Sequence, residues 1–337
     1  MAEKVSNWAT VVRRKLSAYY PRQAWLKSWI SACNFVIVRT NGNRFIEFEL
    51  SNICNARCVF CPYPDMLKSE KNFTHMQADT FEKVKQMLSK FNGVLVSFTP
   101  TTGDTLLHPE WDKYMKDVLA LKSVRRATMF TNAIELDEDA VRRLYGVIEV
   151  DKAGKMSQLY FSVGGYDAAT YKALYQVDRF DKVVNNIRQF IAYIQQKGLS
   201  IGVHIHIKLS IGTAENLEKA SLLFNPTNYP FVYFSHSHQY FSNDAYKRNA
   251  LLQYYPSETI DSTKACAYLK KTRFAADGGV WADGCVISEM PGDQSLRLGS
   301  VDADMAAIEE ARAQIIHDWE QSGIKPLPCR GCTMYRA

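Results

Sequence analysis

The stretch that decides the fold runs from Phe45 to Cys61: Phe-Ile-Glu-Phe-Glu-Leu-Ser-Asn-Ile-Cys-Asn-Ala-Arg-Cys-Val-Phe-Cys. Residues 45–51 alternate apolar and polar side chains, which predicts a β-strand. The strand leads into Cys54, Cys58 and Cys61, with the spacing C-x3-C-x2-C. Three thiolates on one loop can ligate three irons of a cubic 4Fe–4S cluster and leave the fourth iron without a protein ligand. The alternative is half of a zinc site.

Strand-like and helix-like segments alternate from Phe45 onward. Five further candidate strands follow, at 94–99, 127–131, 159–163, 201–209 and 231–235. Amphipathic stretches lie between the strands, at 79–91, 110–121, 137–146, 179–197 and 214–224. Repeated βα units of this kind predict a parallel sheet, and such sheets bind their ligands at the C-terminal ends of the strands. The cysteine loop follows the first strand and is therefore expected at that end.

The cysteine motif, with Phe60 just before its last cysteine, resembles the signature of the radical S-adenosylmethionine (SAM) enzymes. The resemblance implies that the open iron chelates SAM, whose reductive cleavage gives a 5′-deoxyadenosyl radical that abstracts a hydrogen atom. It also implies an α/β fold, a partial (β/α)6 TIM-like barrel of the radical SAM type. We assign residues 1–44 to a basic helical N-terminal extension, 45–245 to the barrel and 246–337 to a small α+β auxiliary-cluster domain.

Three short motifs behind the cysteine loop resemble the SAM-binding motifs of that family. Residues 101–109, Thr-Thr-Gly-Asp-Thr-Leu-Leu-His-Pro, align with Gly-Glu-Pro-Leu-Leu-His-Pro, although Asp and Thr replace the usual Glu and Pro. Residues 131–133, Thr-Asn-Ala, match Thr-Asn-Gly, and residues 162–165, Ser-Val-Gly-Gly, resemble Ser-Ile-Asp-Gly. The resemblance implies SAM contacts from Phe60, Gly103, Asp104, Thr131, Asn132 and Ser162.

The fifth predicted strand carries His204, His206 and Lys208 at alternate positions, so these side chains share one face. His236 and His238 follow the sixth predicted strand with the same spacing. One interpretation is an electropositive interior that holds an anionic substrate or the SAM carboxylate; others are a second metal site and partly buried histidines that only form hydrogen bonds. The candidate catalytic residues are His206, Lys208 and His236.

A second set of cysteines lies in the C-terminal third, with the spacing C-x18-C-x43-C-x2-C: Cys266, Cys285, Cys329 and Cys332. Residues 276–280 predict a hairpin turn with Asp-Gly at its tip. Residues 303–320 predict a helix whose inner face is formed by Ala306, Ala307, Ile308, Ala311, Ile315 and Ile316. This arrangement resembles the auxiliary-cluster domains called SPASM and, in the shortened form, twitch. Four cysteines fit the shortened form, with one fully protein-ligated 4Fe–4S cluster; the alternative is a zinc ribbon.

The cysteine count bears on the reaction. Seven of the eight cysteines are assigned to two clusters, which leaves Cys33 outside the barrel. Radical epimerases commonly need a cysteine as hydrogen-atom donor, so epimerisation is disfavoured. A fully ligated auxiliary cluster suits a dehydrogenase-like oxidation of a small polar substrate, such as a sugar, a cyclitol or a nucleotide-like molecule. The alternatives are modification of a ribosomal peptide and, in a different class, a non-catalytic iron–sulfur sensor or scaffold.

Charge and hydropathy indicate the surroundings of the protein. Residues 1–45 hold eight basic and one acidic side chain, whereas the remainder carries 33 basic and 34 acidic ones. We interpret the basic segment as a helical cap with solvated charges, or as a contact to an anionic membrane or an acidic partner; we expect no nucleic acid. No apolar run predicts a transmembrane helix and no signal peptide is apparent, so we expect a cytoplasmic protein with reduced cysteines. The expected partners are a small-molecule substrate, anionic if the electropositive interior binds it, and an external electron donor such as flavodoxin or ferredoxin.

Overall fold

The computed structural model describes most of the chain beyond the N-terminal extension. The described residues are 44–69, 72–199, 201–211, 217–224, 231–237, 239–242, 249–255, 263–282, 292–333 and 335. The predictions for residues 1–43, Cys33, Cys285 and His238 lie outside these ranges.

Strands and helices alternate as the sequence predicts. The strands are β1 (Arg44–Phe48), β2 (Val94–Phe98), β3 (Val124–Thr131), β4 (Met156–Gly164), β5 (Gly202–Lys208), β6 (Val232–Ser237), β7 (Gln239–Tyr240), β8 (Gln253–Tyr254), β9 (Thr272–Phe274), β10 (Gly279–Trp281) and β11 (Arg297–Ser300). The helices are α1 (Tyr63–Met66), α2 (Ala78–Ser89), α3 (Trp111–Ala120), α4 (Glu138–Val150), α5 (Ala168–Tyr175), α6 (Phe180–Gln196), α7 (Leu217–Phe224) and α8 (Met305–Ser322). None of the helices in the described ranges has the length and apolar character needed to cross a membrane.

Strands β1 to β6 form a parallel sheet in sequential order. Right-handed crossovers between sequential parallel strands place all connecting helices on one face of the sheet. The other face then becomes the inside of a barrel-like curve. The prediction of an α/β fold with a parallel sheet is confirmed.

The C-terminal hairpin extends this same sheet. Strand β9 pairs in parallel with β1, with Ile46 opposite Thr272, and β10 returns antiparallel to β9. The turn between β9 and β10 contains Gly278 at φ +84°, a left-handed conformation that favours glycine. The sheet is thus continuous across position 245, where we placed a domain boundary; that boundary stays a prediction.

Strand β5 shows how the two faces of the sheet differ. Val203, Ile205 and Ile207 are at most 1% exposed, because they pack under the helices. His204 and Lys208, at alternate positions, are only half-buried on the inner face. Partly exposed side chains are unlike the filled interior of a complete eight-stranded barrel, so the inner face offers room for a ligand.

Helix α8 confirms four of the six residues of the predicted inner face, since Ile308 is buried and Ala311, Ile315 and Ile316 pack partly buried against the two cores. Ala306 and Ala307 are exposed, whereas Ile308, Arg312 and Trp319 are buried. The Arg312 guanidinium donates to the backbone carbonyls of residues 269 and 271, just before β9. Those bonds explain why a charged residue, Arg312, can lie on the buried side of the helix.

Candidate functional site

The three cysteines lie on the loop that follows β1, at the C-terminal edge of the sheet. Cys54, Cys58 and Cys61 are all partly buried. The amide of Cys61 donates to the carbonyl of Cys58 at 3.1 Å, so these two residues share one tight turn. The loop therefore presents its thiols within a short span.

Burial dominates the chemistry of these thiols. It raises the pKa of Cys54 to about 11 and that of Cys58 well above its ordinary value, and neighbouring anionic groups add to both effects. Bound iron supplies the positive charge that such thiolates lack, because a coordinating thiol is deprotonated by its metal. In the part of the chain that the structure describes, no three His, Cys, Asp or Glu side chains are grouped closely enough to bind a single metal ion. A cubic cluster has no such requirement, since each sulfur binds a different iron.

The last turn of α5 holds the cysteine loop in place. The amide of Arg57 donates to the carbonyl of Tyr175 at 3.0 Å, and that of Val59 donates to Leu174 at 2.9 Å. These bonds satisfy carbonyls that a helix end leaves without intrahelical partners. On the other side of the loop, the amide of Cys54 donates to the Tyr63 hydroxyl at 3.0 Å.

Asn132, just after β3, joins its own turn to the cysteine loop. Its Nδ2 donates to Oδ1 of Asn55 at 2.8 Å and lies 3.8 Å from Sγ of Cys54. Its Oδ1 accepts from the amide of Ile134 at 2.9 Å. Asn132 thus contacts a predicted cluster ligand directly, whereas a SAM contact stays a prediction.

Asp104 is buried between the loops that follow β2 and β3. Its carboxylate accepts from Thr131 Oγ1 at 2.9 Å, from the amide of Asn132 at 2.8 Å and from the amide of Leu106 at 3.0 Å. Burial raises the pKa of Asp104 to about 6, against these hydrogen bonds, which lower it. The side chains of Asp104 and Thr131 thus form a hydrogen bond with each other, which connects the loop after β2 to the end of β3.

Gly103 allows a close approach, but to the protein's own backbone. Its φ is +130°, and a Cβ there would lie 2.4 Å from the carbonyl oxygen of Ser51. The next amide, of Asp104, donates to the carbonyl of Ile53 at 2.9 Å. The glycine therefore lets the β2 loop pack against the segment that leads into Cys54.

Phe60 is surrounded by two tyrosines and one lysine. Its ring centroid lies 5.6 Å from that of Tyr175 and 5.4 Å from that of Tyr240. The ammonium of Lys208 lies 5.6 Å from the Phe60 centroid. Burial lowers the pKa of Lys208 to about 8, against the opposing effect of nearby Cys58. Lys208 is thus a cation beside the cysteine loop, and the described residues offer it no ion pair.

His206 is held between two serines of the neighbouring strand. Its Nδ1 lies 2.7 Å from Oγ of Ser235, and its Nε2 lies 2.6 Å from Oγ of Ser237. Burial, with Lys208 nearby, lowers the pKa of His206 to about 3, so the imidazole is neutral. One nitrogen then donates and the other accepts. Ser162 lies opposite His206 on β4, which places it on the same inner face.

The strand register separates His236 from this group. Strand β6 extends to Ser237, so His236 belongs to the strand, where it pairs with Ile207. Ile207 faces the helices, and His236 is therefore on the opposite face from Ser235 and Ser237. His236 is nevertheless close enough to His206 to help lower the pKa of that imidazole, and its catalytic role stays a prediction.

Two of the C-terminal cysteines lie in a second, smaller core. Cys266 is buried with Leu269, Leu296 and Trp319, and Cys329 packs against this cluster. Cys332 is buried as well. Cys285 lies outside the described residues. The amide of Thr333, next to Cys332, donates to the carbonyl of Ser242 at 2.9 Å and ties the C-terminal segment to the barrel.

Sequence reasoning missed Ser235, Ser237, Tyr175 and Tyr240 as parts of the site. The two serines have the same alternate spacing as His206 and Lys208 on the preceding strand, which is a usable signal. The tyrosines had no comparable signal, because their contact with Phe60 depends on tertiary packing.

With this geometry established, the family can be assigned. The sequence model of the Radical SAM superfamily matches residues 48–218, just over half of the 337-residue chain. The chain belongs to the radical SAM superfamily. The family implies a 4Fe–4S cluster and SAM, and three partly buried thiols on one loop suit that cluster.

Individual relatives are distant. A GTP 3′,8-cyclase of Clostridium botulinum is 26% identical over 159 residues, which are 47% of this chain and 44% of the cyclase. The chain spans less than half the length of the curated relatives that it matches. The solved structure of native anSMEcpe with bound AdoMet gives a TM-score of 0.55 at 17% identity, over 82% of this chain and 83% of that one. BtrN in complex with AdoMet and 2-DOIA gives 0.49 at 14% identity, over 86% and 92%. The likeness to anSMEcpe concerns the fold alone.

Proposed function

We propose that the protein is a radical SAM oxidoreductase of the dehydrogenase type with an auxiliary 4Fe–4S cluster in a SPASM- or twitch-like C-terminal region. SAM and the first cluster, on Cys54, Cys58 and Cys61, would supply a 5′-deoxyadenosyl radical that removes a hydrogen atom from the substrate. The substrate radical would then lose a proton and pass one electron to the auxiliary cluster. The predicted ligands of that cluster are Cys266, Cys285, Cys329 and Cys332.

The observation that carries this proposal is the packing of two C-terminal cysteines, distant in sequence, in one small core. Cys266 and Cys329 pack in one small core, and Cys332 is buried near the chain end. Buried free cysteines also occur as ordinary small apolar residues. A Cys-x2-Cys pair combined with a third cysteine from a distant segment favours a metal or cluster site.

The inner face of the sheet supports a small polar substrate. Its partly exposed side chains carry hydroxyl and amide groups, at Ser97, Thr99, Thr128, Gln158 and Ser162. Such groups suit the hydroxyls of a sugar, a cyclitol or a nucleotide-like molecule. The ammonium of Lys208 at the mouth suits a substrate with an anionic group.

His206 and Lys208 remain the candidates for taking up the substrate proton. The imidazole of His206 is neutral but a weak proton acceptor, because burial lowers its pKa to about 3, and its bonds to Ser235 and Ser237 mean that a serine hydroxyl can stand between His206 and the substrate. Lys208 can accept one only after losing its own. The electron for SAM cleavage would come from an external donor such as flavodoxin or ferredoxin, and a reducing compartment such as the cytoplasm suits the cysteine ligands.

Metal analysis and SAM cleavage together test the proposal. We expect about eight irons per chain after anaerobic reconstitution, and about four in the double variant Cys329→Ala/Cys332→Ala. That variant should still release 5′-deoxyadenosine from SAM under reducing conditions. The variant Cys54→Ala/Cys58→Ala/Cys61→Ala should keep about four irons and release none. About four irons with stoichiometric zinc in the wild type would refute the auxiliary cluster.

A redox-neutral reaction, such as radical cyclisation, is the second candidate. It is favoured by the sequence similarity to GTP 3′,8-cyclase. The two candidates differ in the fate of the substrate electron. Once a substrate is found, a product that has lost two hydrogens supports oxidation, and a product of unchanged oxidation state supports the second candidate.

A further inference from the structure

The parallel strands begin at one edge of the sheet, opposite the mouth, and this edge is rich in basic side chains. We call it the basic edge; its members are Lys90, Lys122, Arg125, Lys152, Lys155, Lys197 and Lys270. They lie in the segments that lead into β2, β3, β4, β5 and β9, except Arg125, which is the second residue of β3. Because parallel strands start at the same edge, these charges from five separate segments are brought together by the fold.

Three members of the basic edge have a structural use. Lys155 donates to the carbonyls of Leu119 and Leu121, Arg125 donates to a backbone carbonyl at 3.3 Å, and Lys197 lies 5.5 Å from two tyrosine ring centroids. The other four are exposed, and none of them forms an ion pair with a residue in the described ranges.

Helix dipoles account for only part of this charge. Lys90 and Lys197 are the C-cap residues of α2 and α6, where a cation is favoured. Lys122 and Lys152 lie one residue beyond the C-caps of α3 and α4, in the connecting loops. Two acidic side chains near these bases form hydrogen bonds with other groups. Asp151 accepts from the amide of Met156, and Glu149 accepts from the Tyr145 hydroxyl.

Exposed apolar side chains lie among these bases. Val150, at the end of α4 and two residues before Lys152, is 55% exposed, and Phe45, near the start of β1, is 43% exposed. Lysines interspersed with exposed apolar groups suit the headgroup region of a bilayer, where both kinds of group find partners. A nucleic-acid backbone offers partners to the lysines alone.

The sequence before β1 joins the protein at this same edge, because β1 begins at Arg44. Residues 1–43 contain seven basic side chains and one acidic one, with tryptophan at positions 8, 25 and 29. Tryptophan is enriched at membrane interfaces, where its ring sits among the headgroups. A segment of basic and aromatic composition therefore precedes the strand that begins at the basic edge.

We propose that the basic edge docks the protein on an anionic lipid bilayer. The mouth of the barrel, with Cys54 and Lys208, would then face away from the membrane and stay open to substrate and to an electron donor. This inference rests on charge and topology and does not depend on the reaction that the protein catalyses.

Co-sedimentation with vesicles tests the proposal on the full chain. We expect wild-type protein to pellet with vesicles of equal parts phosphatidylcholine and phosphatidylserine, but not with phosphatidylcholine alone, and to be released by salt. The triple variant Lys90→Glu/Lys122→Glu/Lys152→Glu should partition more weakly by on the order of a hundredfold.

The matched control reverses three lysines near the mouth, Lys68→Glu/Lys172→Glu/Lys182→Glu, and changes the net charge equally. It should bind as wild type. Equal loss in both variants would mean that net charge alone matters, and unchanged binding of the basic-edge variant would mean that another segment makes the contact; either result overturns the proposal. So does tight binding to duplex DNA without binding to the anionic vesicles.

Discussion

Nδ2 of Asn132 lies 3.8 Å from Sγ of Cys54 and 2.8 Å from Oδ1 of Asn55, so one amide reaches both the thiol and its sequence neighbour. Asn132→Asp keeps the acceptor for the amide of Ile134 but removes the donor and adds a negative charge beside the thiolate. Hydrogen bonds to cluster sulfurs raise reduction potentials. We therefore expect a lower midpoint potential of the first cluster, measured by redox titration with electron paramagnetic resonance. Asn55→Ala, which leaves the Asn132 amide in place, is the control and should shift the potential less.

Removing the charge of Lys208 should make the same cluster harder to reduce. The ammonium lies against the Phe60 ring and is a cation close to Cys58, so it favours the more negative, reduced state of the cluster. Lys208→Gln should lower the midpoint potential, whereas Lys208→Arg should keep it near the wild-type value. Equal potentials in wild type and Lys208→Gln would show that the charge does not act on the cluster.

His108 should make the protein acid-sensitive. The amide of Glu110 donates to its Nδ1 at 3.0 Å, and its Nε2 lies 3.0 Å from the carbonyl of Met76, so the buried ring is held neutral. Burial lowers the pKa of His108 below its ordinary 6.5. The folded state thus binds the proton less well than the unfolded state, and stability present above pH 6.5 is lost as the pH falls below it.

Urea denaturation at several pH values between neutrality and mild acid checks this expectation. His108→Gln should flatten the fall in the free energy of unfolding below pH 6.5. His317→Gln, at an exposed position of α8, should leave the slope as in wild type. A slope that His108→Gln does not change would place the acid sensitivity in other groups.

The ion pair between Glu49 and Arg273 should be costly to break. Both side chains are 1% exposed, and Arg273 Nη1 lies 3.4 Å from Glu49 Oε2 across β1 and β9. Arg273→Met leaves a buried carboxylate without its cation and should lower the free energy of unfolding by about 3–5 kcal/mol. The double variant Glu49→Met/Arg273→Met should recover much of that loss. A loss in the double variant as large as in the single one would mean that packing, and not charge, sets the cost.

The sequence allowed the cysteine loop, the βα alternation and the hairpin at residues 276–280 to be predicted, because each depends on local spacing. The partners of Asp104 were out of reach, since they depend on how two loops meet. The place of His236 within a strand was out of reach for a related reason: the predicted strand ended at residue 235, whereas β6 continues to Ser237. Arg312 was overlooked because a charged residue is expected outside, unless carbonyls from a distant segment are known to receive it.

The pairing of β1 with β9 has a consequence for synthesis on the ribosome. Glu49 and Arg273 are separated by 224 positions in the chain. At ordinary elongation rates, roughly ten to forty-five seconds pass between their appearances. Throughout that interval the strand that carries the cysteine loop has at most one of its two neighbours, β2, and its other edge is available to solvent or to a chaperone. Loading of iron at Cys54 before Arg273 has emerged would thus take place on an unfinished sheet.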